Sequence, residues 1–223
     1  MLLQIPSVLG PRELQAVREM LAEASFVSGK LSAGAAAQRV KNNEELPTDA
    51  AQLERLNGIV MGNLVRHPMY RSAALPLHVA TPFYARYTTG MAYGAHIDDP
   101  VMGEGDRYRS DVSITVFLNP PEAYDGGELV IATSFGEREV KLPAGHAVLY
   151  PSSSRHRVAE VTRGERLVAV TWVQSLVRDP ARRELLHELN RARERLLRHS
   201  PDAPETAQVD SAYVNLVRMW SEL

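Results

Sequence analysis

Residues 147–174 read AVLYPSSSRHRVAEVTRGERLVAVTWVQ, and this stretch decides the fold class. Three runs rich in β-branched and aromatic residues, Ala147–Tyr150, Arg157–Val161 and Leu167–Gln174, are cut by a Pro-Ser segment and by Arg163-Gly164. Short runs of this kind bounded by turn residues read as strands. The same texture extends outward over about Leu77 to Ser175, with strands expected at Val79–Tyr87, Ala92–Ile97, Val112–Leu118, Glu128–Ala132 and Glu137–Leu142. Asp125-Gly126-Gly127, Phe135-Gly136 and Pro143-Ala144-Gly145 separate them. Many short strands at this spacing favour a sandwich or barrel over a parallel α/β sheet.

Both flanks change period. Pro11 opens a helix with Leu14, Val17, Leu21 and Ala24 on one face. A second helix, from about Asp49 to Arg66, carries Leu53, Leu56, Val60 and Leu64, and is weakened by Gly58 and Gly62. The polar stretch Arg39-Val40-Lys41-Asn42-Asn43 between them reads as loop. Beyond the strands, Asp179 is an N-cap with Pro180 at the first helical position, followed by Leu185, Leu189, Ala192 and Leu196. After the break at 200–204, Val209, Tyr213, Leu216, Val217 and Trp220 form a last apolar stripe. The expected division is a helical and strand flank at 1–76, a β core at 77–177 and a C-terminal helical hairpin at 178–223. The apolar stripes of that hairpin pack on the core or on a second copy, which suggests a homodimer through the C-terminal helices.

Composition excludes several classes of function. The formal net charge is -2, and no arginine run is paired with an aromatic platform, so no nucleic-acid partner is indicated. With no cysteine, disulfides, thiolate metal sites and cysteine nucleophiles drop out together. No apolar run approaches the roughly 20 residues of a membrane span, and the first residues lack the pattern of a signal peptide. A cytoplasmic protein with no membrane partner is expected.

The chemistry concentrates in four residues. His96 and Asp98 stand two apart at a strand or strand end, so their side chains leave the same face; Asp99 would leave the opposite face. His156 begins a distant strand that a jelly roll can bring across the interior. Two imidazoles and one carboxylate on one face of a metal leave three positions open, the facial triad of Fe(II) oxygenases. Arg166 follows His156 by ten residues, beyond an expected turn at Thr162-Arg163-Gly164-Glu165 that would place it on the neighbouring strand of a hairpin. A guanidinium there can grip the distal carboxylate of 2-oxoglutarate with two parallel hydrogen bonds. His67, His78, His146, His187 and His199 have no partner at ligand spacing and read as structural or exposed. No His-Glu-x-x-His helix exists, so a zinc hydrolase is remote. Pro100–Ser110, with two glycines and mixed charge, is the candidate substrate lid.

At these residues the chain resembles the bacterial PKHD-type hydroxylases, in the prolyl-4-hydroxylase-like branch of Fe(II)/2-oxoglutarate dioxygenases. The stretches that carry the resemblance are Arg39-Val40-Lys41-Asn42-Asn43, Arg86-Tyr87, Gly94-Ala95-His96-Ile97-Asp98, Tyr124-Asp125-Gly126-Gly127-Glu128-Leu129, Leu149-Tyr150-Pro151-Ser152-Ser153-Ser154, His156-Arg157-Val158 and Trp172-Val173-Gln174-Ser175. The resemblance implies a double-stranded β-helix (jelly-roll, cupin-like) core. It implies Fe(2+) on His96, Asp98 and His156, 2-oxoglutarate on Arg166, and L-ascorbate as reductant. Tyr87 lies nine residues before His96, where related prolyl hydroxylases tend to have a tyrosine near the co-substrate. Asp99 departs from the family, which commonly has asparagine there. The reaction implied is hydroxylation of an organic substrate with O₂, releasing succinate and CO₂. Asp98 argues against halogenation, where the carboxylate is typically missing. The prolyl-hydroxylase kinship points to a peptide or protein residue, and an iron-uptake link to a siderophore-like small molecule. The rival reading is a cupin-like sensor that binds metal or 2-oxoglutarate without turnover.

Overall fold

The computed structural model describes residues 1–32, 34–103 and 105–223. Two antiparallel sheets face each other. The larger runs in the order Leu3–Ile5, Ala147–Pro151, Val112–Phe117, Val161–Ser175, Phe83–Thr88, Glu44–Glu45 and Val27–Ser28. Tyr124–Gly126 and Pro76–Val79 also pair with Val161–Ser175. The smaller sheet runs Gly136–Val140, Leu129–Thr133, His156–Val158, Ala92–His96 and Lys41–Asn42. This is the expected jelly-roll core.

A period of two sorts the larger sheet's residues between its faces. Val112, Ile114, Leu149, Leu167, Ala169 and Val173 point outward into the cluster built by the N-terminal helices. Tyr87, Val148, Tyr150 and Val168 point inward with Leu129, Ile131 and Val158 of the smaller sheet. Val112–Phe117 is buried on both faces, so its polar Ser113 and Thr115 also lie inside. A buried hydroxyl needs a partner, and these two sit where the site is built.

Helices Pro11–Ala22, Leu53–Leu64 and Pro68–Ala74 cover the outer face. Leu56, Val60 and Leu64 are fully buried there, and each such side chain contributes about 1.5–3 kcal/mol. The first two helices fall where the periodicity places them, although the second begins at Leu53 after a turn rather than at Asp49. The third was not expected. The Asp179 carboxylate caps helix Pro180–His199, accepting from the Ala181 and Arg182 amides at 2.7 and 3.3 Å. Helix Pro204–Trp220 folds back on it, and Tyr213, Leu216, Val217 and Trp220 pack on Leu75, Val177 and Leu186.

Three expectations need correction. Thr162–Glu165 is not a turn, because a single strand runs from Val161 to Ser175. Gly164 adopts φ +75°, where its missing Cβ lets the Ala123 carbonyl approach closely. Arg166 therefore pairs with Tyr87 in the larger sheet, while His156 belongs to the smaller one, so the two are not hairpin neighbours. The stretch 39–43 is not all loop: Lys41–Asn42 closes the edge of the smaller sheet and Glu44–Glu45 extends the larger. The span Val79–Tyr87 divides into Pro76–Val79 and Phe83–Thr88.

Candidate active site

Three directly opposed residue pairs on neighbouring strands supply the site. His96 faces His156 in the smaller sheet. In the larger sheet Ser113 faces Trp172 and Arg166 faces Tyr87. Opposed positions on one face bring side chains into contact, and the fold of one sheet over the other joins the pairs around a cavity of about 750 Å³.

His96, Asp98 and His156 converge. Their candidate ligand atoms all lie within 4.8 Å of one another, and Asp98 Oδ1 stands 3.9 Å from His96 Nε2 and 3.7 Å from His156 Nε2. Each imidazole sets its Nδ1 against a carbonyl that can only accept: Gly94 at 2.8 Å for His96 and Ser154 at 3.0 Å for His156. The proton therefore sits on Nδ1, and both Nε2 lone pairs face inward. Burial, followed by the neighbouring His156, lowers the His96 pKa and favours this neutral form. The Tyr93 ring stacks on His96 at 3.7 Å, and Tyr150 meets His156 edge-on at 5.1 Å.

Asp98 is held from behind. Its Oδ2 accepts from Ser113 Oγ at 2.5 Å and from Trp172 Nε1 at 3.0 Å, leaving Oδ1 turned with the two Nε2 lone pairs toward a common point. Ser152 Oγ lies 2.8 Å from Ser113 Oγ and extends the chain. The sequence reading did not find these orienting roles. The polar residue inside the apolar run of Val112–Phe117 was the one available signal. Asp99 is exposed and stands outside this cluster, beyond the end of the strand Ala92–His96, at the border of the same cavity.

Arg166 is the largest fully buried side chain, 2% exposed. Its guanidinium lies 5.0 Å from the Tyr87 ring centroid and 5.8 Å from that of Phe117. Its Nε has no hydrogen-bond partner, and it makes no ion pair among the described residues. A buried, unneutralised guanidinium aimed into a cavity fits a carboxylate ligand. Tyr87 is buried beside it; desolvation pushes the phenol pKa up to about 12, and the Asn43 side chain reaches its hydroxyl. The donor set thus suits a divalent cation and a dicarboxylate together.

Of the remaining histidines, His78 stacks on Tyr108 at 4.6 Å and lines the cavity, so it is not merely a surface residue. His67 meets the Pro6 carbonyl, His187 meets Ser72, and His199 meets the Arg195 carbonyl. Within the candidate lid, Val101–Met102 pairs with Tyr108–Arg109 as a small hairpin at the mouth; Glu104 of that stretch lies outside the described residues.

Comparison with known proteins agrees with this geometry. Residues 82–174 match the 2OG-Fe(II) oxygenase superfamily, and residues 180–222 match the PKHD-type hydroxylase C-terminal domain. A PKHD-type hydroxylase of Thioalkalivibrio sulfidiphilus is 54% identical over 224 residues, covering 100% of both chains. One from Paracoccus denitrificans is 45% identical over 226 residues, again with 100% of each chain covered. The chain belongs to the PKHD-type hydroxylases. The hydroxylase fold is also that of a Pseudomonas putida prolyl-4-hydroxylase, with a TM-score of 0.51 at 21% identity over 78% of this chain and 92% of that one. A prolyl hydroxylase from Trichoplax adhaerens, in complex with a hypoxia inducible factor peptide fragment, gives 0.57 at 17% identity over 78% and 83%. The hydroxylase is thus an oxidoreductase of the dioxygenase class. Its family implies Fe(2+) with a His-Asp-His site, 2-oxoglutarate, O₂ and an organic substrate. No described helix is long and apolar enough to cross a membrane.

Proposed function

We propose that His96, Asp98 and His156 hold one Fe(II) per chain, that Arg166 binds the distal carboxylate of 2-oxoglutarate, and that Tyr87 flanks that co-substrate. The observation that carries this is the buried Arg166 guanidinium, which has no ion-pair partner among the described residues and borders a cavity that also receives two imidazole Nε2 atoms and a carboxylate. When bound, iron and 2-oxoglutarate supply the activation of O₂ that hydroxylates a C–H bond and yields succinate and CO₂.

The chain's own residues set the geometry for that chemistry. The Gly94 and Ser154 carbonyls fix the tautomer and tilt of the two imidazoles. Ser113 and Trp172 fix the Asp98 rotamer, so its remaining oxygen is presented rather than sampled. Tyr87 and Phe117 bracket the Arg166 guanidinium and keep it off solvent, which strengthens its bond to a carboxylate. Leu129, Val158 and Val170 line the cavity with apolar surface and exclude water from the reacting centre.

The substrate is a peptide or protein residue or a siderophore-like small molecule, received beneath the 100–110 hairpin acting as lid. Ascorbate serves as reductant, and the protein works in the cytoplasm. Segments 1–76, 77–177 and 178–223 act as flank, catalytic core and helical hairpin, and the hairpin pairs two copies. The test is anaerobic addition of Fe(II) and 2-oxoglutarate, which should give a weak visible charge-transfer band, followed by O₂, which should release succinate. A band without succinate would leave only a binding module; no band would remove the site.

A further inference from the structure

The charges lining the cavity do not cancel. Imidazoles apart, its charged side chains are Lys41, Glu45, Asp98, Asp99 and Arg166. Lys41 and Glu45 neutralise each other at 2.5 Å, and Ser32 Oγ bridges them, accepting from Lys41 at 3.0 Å and donating to Glu45 at 2.5 Å. In the function proposed above, a divalent metal, a doubly charged 2-oxoglutarate, Asp98 and Arg166 sum to zero. Asp99 is left over. Its carboxylate takes no hydrogen bond and no ion pair from any described residue. It sits at the mouth, with Oδ2 3.8 Å from where a Cβ on Gly34 would stand.

The surface beside Asp99 is apolar and aromatic. Ile97 and Val101 remain 57% and 55% exposed although both border the cavity. Met102 and the stacked His78–Tyr108 pair continue that wall. Two open aliphatic side chains next to an unpaired carboxylate, with an aromatic face nearby, suit a cation carried on an apolar stem.

We infer that the substrate bears a protonated amine or a guanidinium on an apolar stem, that Asp99 receives the cation at the cavity mouth, and that the stem lies along Ile97, Val101, Met102 and Tyr108. This rests on the function proposed above and adds the charge class of the substrate. Asp99 is then a specificity residue; it makes no contact with the reacting atoms.

Anaerobic titration calorimetry on protein loaded with Fe(II) and 2-oxoglutarate tests it with two matched pairs of probes. One pair is n-hexylamine against n-hexanol. The other is the peptide Ac-Gly-Ala-Lys-Ala-Gly-NH₂ against its norleucine twin. A half-exposed ion pair should make at least one cationic probe bind about three- to fivefold tighter than its neutral twin, and the difference should shrink in about 0.5 M salt. Asp99→Asn should abolish the preference and Asp99→Glu should retain it. Preference in the free-amine pair alone identifies a small-molecule source, and in the peptide pair alone a polypeptide. Equal affinities in both pairs, or a preference that survives in Asp99→Asn, overturn the inference. The 2-oxoglutarate absorption band of the same wild-type preparation separates the two readings. Its absence sinks the proposed function, whereas a normal band without charge preference sinks only the role of Asp99.

Discussion

Replacing Arg166 with methionine removes a charge while keeping much of the volume, and the structure dictates opposite effects with and without co-substrate. Without 2-oxoglutarate, the guanidinium is 2% exposed, its Nε is unpartnered and no carboxylate neutralises it. Burying such a group opposes folding, so Arg166→Met should melt at the wild-type temperature or above. With 2-oxoglutarate, the order reverses. A ligand at 100 times its Kd stabilises by about 2.7 kcal/mol, and for a chain of 223 residues each kcal/mol moves Tm by about 2–4 °C. Wild type should therefore gain about 5–10 °C. Leaving the ligand's carboxylate buried without its partner costs about 3–5 kcal/mol, or about two to four orders of magnitude in Kd. At the same concentration the variant should gain less than about 2 °C. Arg166→Lys, which keeps the charge but loses the two-point bond, should fall between them. The assay is anaerobic thermal melting of metal-loaded protein across a 2-oxoglutarate series. A wild-type shift in Arg166→Met would remove the anchor, and a collapsed ligand-free Tm would show that the guanidinium has a structural partner instead.

Other consequences can be measured separately. Ser113→Ala and Trp172→Phe each strip one hydrogen bond from Asp98 Oδ2, and each should weaken Fe(II) binding by about 10–100-fold; unchanged metal titrations would deny them an orienting role. Gly126 holds φ +71° with the Glu160 carbonyl where a Cβ would go, so Gly126→Ala should cost about 1–3 kcal/mol or more by chemical denaturation; a neutral result would show that the Tyr124–Gly126 strand yields easily. His187 is buried between helices, with Nδ1 on Ser72 and Nε2 unpartnered, and desolvation lowers its pKa below 6.5. The unfolded chain then binds the proton first, so this group's stability contribution is complete above about pH 6.5 and fades as pH falls. The denaturation free energy of His187→Gln should depend less on pH between about 5 and 7 than that of wild type, and parallel curves would refute the assignment.

Most of the site could be read from the chain because its chemistry depends on which face a side chain takes. Spacing two apart at a strand end flagged His96 and Asp98, and period two puts Arg166 in register with Val168, Val170 and Trp172 on the inner face. Pairing between strands was not legible in the same way. Arg163-Gly164 has the composition of a turn, yet Gly164 takes its positive φ to let the Ala123 carbonyl approach a continuous strand. That close approach is fixed by a residue some forty positions away, which no local window contains. Lys41–Asn42 and Glu44–Glu45, two residues each, are strands only because the two sheets offer them edges. Ser113 interrupts an apolar run, and only its register against Trp172 makes it a support for Asp98.

The proposed function does not depend on a hairpin between His156 and Arg166. Side by side on one hairpin, His156 and Arg166 would have been fixed by a turn. They are instead carried on different sheets, and both still line the cavity. A bidentate keto acid needs its two ends held apart, one at the metal and one at the guanidinium. Opposite sheets provide that separation, and both sheets take part in closing the cavity. In the proposed function the distance between metal and anchor is therefore a property of sheet packing, set by the inner cluster of Leu129, Ile131, Val148, Tyr150, Val158 and Val168. Truncating Ile131, the direct cross-strand partner of His156, to alanine should accordingly cost about 2–5 kcal/mol of stability. It should also weaken both metal and 2-oxoglutarate binding, because His156 sits on the smaller sheet while Asp98 is tied to the larger sheet that carries Arg166. Unchanged titrations of both would show that the inner cluster does not set the spacing.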